Sequence, residues 1–109
     1  MTLESFTATR MPDGRTRLAW RTGYEANNVG FRVYREQNGQ RARITSSLVP
    51  GTALIGPGRG ASAGGRTYSW SDVTTAPDDG GVQYWLEDVD LHGKSTWHGP
   101  IRPERTEPR

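Results

Sequence analysis

The 109-residue sequence predicts an all-β domain, a seven-stranded antiparallel β-sandwich, and three observations carry that expectation. Short stretches alternate apolar and polar residues with a period of two, the pattern of a strand with one buried face. Turn residues interrupt these stretches every few positions, 14 glycines and 7 prolines in all, which leaves no room for a long helical stripe. Only 32% of the residues are hydrophobic, yet they include four tryptophans, four tyrosines and two phenylalanines, and a core so rich in rings fits between two thin sheets. A small barrel is the alternative closure of the same strands.

Leu3 to Thr9 reads as the first strand, ended by the turn residues Met11-Pro12-Asp13-Gly14. Arg17 to Arg21 places Leu18 and Trp20 on one face and arginines on the other. Gly30 to Arg35 repeats this pattern with Phe31 and Val33 inward, and Asn38-Gly39 is the dipeptide of a tight hairpin, so Arg41 to Thr45 returns antiparallel beside it. From Ser46 to Arg66 the alternation dissolves into Pro50-Gly51 and GPGRGASAGG, a long loop. Thr67 to Asp72 alternates again, and Val82 to Val89 is the longest strand. After the His92-Gly93 turn, Ser95 to His98 closes the sheet. The length suits one domain. Residues 1–99 form the sandwich on this reading, and the charged, proline-broken stretch 100–109 is a linker or disordered tail.

Fourteen basic and twelve acidic residues give a formal charge of +2, and Lys94 is the only lysine. Both signs are scattered rather than blocked, which speaks for a solvated surface and against nucleic acid as partner. With no cysteine, disulfides, thiolate metal sites and a cysteine nucleophile are excluded. No apolar run is long enough for a membrane-spanning helix, and the first residues do not read as a signal peptide.

Candidate sites are few. Glu25, Asn27 and Asn28 precede Gly30 and could be ligands, but asparagine accepts left-handed backbone and a glycine permits close approach, so a turn that aims the third strand explains them better. Glu25 is then a cap on backbone amides or a partner for an arginine. Asp88 and Asp90 share one face of a strand, near His92 and His98, and are the best metal candidates. A calcium site needs six or more oxygens, so these aspartates are read as turn acceptors, and no metal or other cofactor is expected. Gly93-Lys94-Ser95-Thr96 imitates the end of a phosphate-binding loop, but Asp88 stands where that motif needs glycine. No nucleophile elbow or paired catalytic carboxylates stand out, so the chain is read as non-catalytic. Tyr34, Trp85 and Trp97 fall out of step with the inward residues and are the candidate ligand-binding side chains, able to stack on sugars or apolar surfaces. A cover for the core beneath the long loop is the other account of these rings.

Two segments carry a family likeness. EANNVGFRVYREQNGQRARI (residues 25–44) and YWLEDVDLHGKSTWHGP (residues 84–100), together with Trp20, resemble a bacterial subgroup of fibronectin type III-like domains. The resemblance covers about residues 3 to 100, although the loop at 46–66 is longer and richer in glycine than in fibronectin's own modules. It implies a spacer or adhesion module in a larger secreted or cell-surface protein, covalently linked to neighbouring domains and monomeric in isolation. It also implies that the Tyr84 hydroxyl donates to nearby backbone. The alternative is a module that binds polysaccharide or a surface protein through exposed aromatics and the 46–66 loop.

Overall fold

The computed structural model describes residues 2–23, 27–51, 66–73 and 81–105. These contain nine strands and no helix: β1 (Leu3–Arg10), β2 (Thr16–Thr22), β3 (Asn28–Gln37), β4 (Gln40–Arg43), β5 (Val49–Pro50), β6 (Thr67–Asp72), β7 (Gln83–Asp90), β8 (Ser95–Ile101) and β9 (Glu104–Arg105). One sheet has the order β6-β2-β1, antiparallel throughout, with β9 added parallel to the end of β1. The other has the order β4-β3-β7-β8, also antiparallel, and β5 pairs with β3 on the edge that β4 leaves open.

Local chemistry accounts for the joints. Asn38 and Gly39 both adopt positive φ, 55° and 78°, as a two-residue hairpin of the right twist requires. Between β4 and β5 the chain stays anchored to β3, because the Ile44 N–H donates to the Val33 carbonyl while the Thr45 hydroxyl accepts from the Val33 N–H. At the other end of β3, Asn27 is left-handed at φ 68°. A β-carbon at Gly30 would stand 2.4 Å from the Val49 carbonyl oxygen, so glycine lets β5 close on β3. Turn and close approach thus occupy Asn27 and Gly30 as the sequence suggested, whereas Asn28, expected in the same turn, is the buried first residue of β3. Glu25 lies outside the described residues.

The two sheets share one core. Ala8, Leu18 and Trp20 from the first meet Phe31, Val33, Tyr84 and Leu86 from the second, with Val82 beside them, all buried. The Trp20 ring meets Phe31 edge-on at 5.4 Å and stacks on Tyr68 at 5.7 Å, the geometries in which ring quadrupoles attract. A polar clamp also spans the sheets. Arg35 Nη1 of β3 reaches both carboxylate oxygens of Asp72 at the end of β6, at 2.6 and 2.8 Å, and the Tyr84 hydroxyl of β7 donates to Asp72 Oδ2 at 2.6 Å.

Four expectations differ in detail. The described residues form nine strands where seven were expected, since the two-residue strands β5 and β9 are too short to show a period. Tyr84 donates to a carboxylate rather than to nearby backbone, because Asp72 presents a charged acceptor within the core. The stretch read as a loop from 46 to 66 contains β5, and its residues 52–65 lie outside the described residues. The stretch from 100, read as a linker or disordered tail, joins both sheets as far as residue 105: Ile101 pairs with Tyr84 in the second sheet, and residues 104 and 105 pair with Thr9 and Arg10 in the first. Residues 106–109 lie outside the described residues.

Candidate functional site: an aromatic and arginine face

Because side chains alternate along a strand, the burial of Phe31, Val33, Tyr84 and Leu86 puts Arg32, Tyr34, Glu36, Trp85 and Glu87 on the opposite, outer face of the second sheet. The ladder then sets neighbours: Tyr34 opposite Trp85, Arg32 opposite Glu87, Glu87 opposite Trp97, and Glu36 opposite Arg41. All three ring residues singled out in the sequence therefore gather on one surface. A bulge aids this. Between the pairs Leu86–His98 and Tyr84–Ile101, β8 has one residue more than β7, and Gly99 sits there with φ 124°. A β-carbon on Gly99 would lie 2.8 Å from the Tyr84 carbonyl oxygen and 3.5 Å from the Trp85 ring, so its absence leaves Trp85 its place.

The rings are held by named partners. Tyr34 and Trp97 meet at 4.8 Å with their planes tilted by 49°, arching over Glu87, which is buried although it points outward. Glu87 accepts hydrogen bonds from the Tyr34 hydroxyl at 2.7 Å and the Ser95 hydroxyl at 2.5 Å, with Arg32 Nη1 at 3.4 Å. Trp85 donates its indole N–H to Glu36 at 2.7 Å. Over this surface lies Arg41, whose guanidinium carbon is 4.2 Å from the Trp85 ring centroid and 5.1 Å from that of Trp97, with Nη2 3.6 Å from Glu36. Trp97 keeps 41% of its surface exposed.

Burial alone would raise the Glu87 carboxyl, but hydrogen bonds from Ser95, Tyr34 and Arg32 outweigh it and hold it below its usual range. The Tyr34 hydroxyl is raised, first by burial and then by its bond to Glu87. Tyr84 is raised further, again chiefly by burial and then by its bond to Asp72. Both phenols hold their protons in the folded chain above the ordinary value of 10.0, whereas the unfolded chain releases them there. Stability from these groups is complete below that value and declines as pH climbs toward the folded pKa values. The midpoint of urea unfolding should stay level up to about pH 9 and fall by about pH 11; a midpoint unchanged over that span would contradict the assignment.

Asp88 and Asp90 lie elsewhere, at the end of β7. Asp90 Oδ1 accepts from the N–H groups of His92 and Lys94 at 2.8 and 3.0 Å, the turn-acceptor role expected of it. Those amides, Lys94's first, keep its carboxyl below the usual range. Asp88, expected to be a turn acceptor as well, is instead buried with its Oδ2 2.6 Å from His98 Nε2. Among the described residues no three His, Cys, Asp or Glu side chains converge as a metal site would require. A separate groove of about 670 Å³ runs between β1 and the turn from β8 to β9, lined by Phe6, Ala8, Gln83, Ile101 and Glu104 among others.

Sequence reasoning named the three rings but missed Arg41, Glu36 and Glu87. The signal was present in the alternation, since 34 and 36, and 85 and 87, share a face. Adding Arg41 needed the register of the Asn38-Gly39 hairpin. No family model matches this sequence, and no curated protein matches it either.

Proposed function

We propose that the chain is a fibronectin type III-like sandwich that serves as a non-catalytic spacer or adhesion module of a larger extracellular bacterial protein, where it positions neighbouring domains. The observation that carries this reading is the path of the chain. It enters along β1 from Leu3, and β9 leaves parallel to β1 beside Thr9 and Arg10. Entry and exit thus lie at opposite ends of one strand and point the same way, so neighbours joined there extend in line. Two antiparallel sheets packed on one core support a sandwich unit, and the Arg35–Asp72–Tyr84 clamp ties those sheets together.

The alternative, a sugar-binding platform, asks for coplanar accessible rings. Tyr34 and Trp97 are tilted, and Arg41 lies over Trp85 and Trp97, which favours the spacer. A tandem of two copies joined end to end tests the reading by small-angle X-ray scattering. The expected particle is close to twice as long as one copy. A tandem no longer than a single copy, with its halves side by side, would overturn it.

A further inference from the structure

We propose that Trp85, Trp97 and Tyr34, with the carboxylate of Glu36, form a cage for an arginine side chain of a partner protein, and that Arg41 fills this cage in the free domain. The occupant reveals the chemistry the site accepts. A guanidinium rests against two indole faces, at 4.2 and 5.1 Å from their centroids, where the ring quadrupole attracts a cation. Glu36 adds the charge such a guest needs. It stands 3.6 Å from the guanidinium and takes the Trp85 indole N–H at 2.7 Å, which fixes that ring's orientation. The Trp97 ring is braced in turn by Tyr34 at 4.8 Å.

The walls and the plug are held differently. Trp85 projects from β7, which is paired on both sides, and Trp97 from the seven-residue β8 beside it. Arg41 comes from β4, an edge strand of four residues, all exposed, and its side chain is itself 39% exposed. Swinging it into water therefore leaves the ladder of β3, β7 and β8 intact, and an incoming arginine repeats its contacts. A flat guanidinium suits this slot better than the compact, strongly hydrated lysine ammonium. The proposal stands apart from the spacer reading, since a cage can occur on a spacer and its failure leaves the chain path unchanged.

Titration with Nα-acetyl-arginine amide, followed by tryptophan fluorescence, tests the proposal, with Nα-acetyl-lysine amide and cellohexaose as comparison ligands. In Arg41→Gln the competitor is gone, so arginine amide should bind saturably and about tenfold more tightly than to the wild type. Arg41→Ala should behave alike, and adding Trp97→Ala to either should abolish the response. Saturable binding that is equally tight in wild type and both variants would overturn the proposal. So would absence of binding in folded Arg41→Gln and Arg41→Ala, or a response to cellohexaose without one to arginine amide.

Discussion

Trp20→Ala is expected to lower the free energy of unfolding by about 3 to 5 kcal/mol. Trp20 is 1% exposed and sits where the sheets meet, edge-on to Phe31 of the facing sheet and stacked on Tyr68 of its own. Truncation leaves a cavity between two layers whose backbones are held by their ladders and cannot fully collapse into it. The indole N–H has no hydrogen-bond partner among the described residues. Losing it therefore removes no bond, and the cost is one of packing. Urea unfolding followed by circular dichroism measures it, and a value within error of the wild type would mean that β2 is out of register.

The second large effect is expected at Asp72. Asp72→Ala removes the acceptor shared by Arg35 and Tyr84, and breaking a buried pair from one side costs about 3 to 5 kcal/mol because the remaining charge keeps its desolvation penalty. The Arg35 side chain is 25% exposed, so water relieves part of that penalty and the lower end of the range is expected. Tyr84→Phe gives the comparison. It loses one hydrogen bond to a charged acceptor, about 1.5 to 3 kcal/mol, and leaves the ion pair in place. The same urea unfolding series reads both, and an Asp72→Ala variant as stable as the wild type would show that the clamp does not join the sheets.

The inward residues were legible because one physical rule wrote them. Leu18 and Trp20, Phe31 and Val33, and Tyr84 and Leu86 each obey the two-residue period, and all six are buried. Asn38-Gly39 was legible because few residue pairs accept two positive φ angles in succession. The clamp could have been suspected: Arg35 shares its phase with Phe31 and Val33, and Asp72 with Tyr68 and Trp70. A charge on an inward phase needs a partner, but alternation within a strand does not say which strand of the other sheet supplies it. β5 and β9 left no such trace, for two residues cannot display a period and Pro50-Gly51 reads as part of a loop. The aromatic face was half legible, its rings named by phase and its arginine hidden until the hairpin set the register.

The positional role is tested most directly by the distance across the module. Because the chain has no cysteine, Thr2→Cys and Glu104→Cys accept spin labels without competition from other thiols. Glu104 pairs with Thr9, seven residues along the chain from Thr2, so the labelled backbone positions should lie about 23 Å apart at the usual strand rise. Pulsed dipolar spectroscopy should find one narrow population near that separation. A much shorter distance, or a spread as broad as that of an untethered tail, would show that the two ends are not held apart and would contradict the reading of the chain as a spacer.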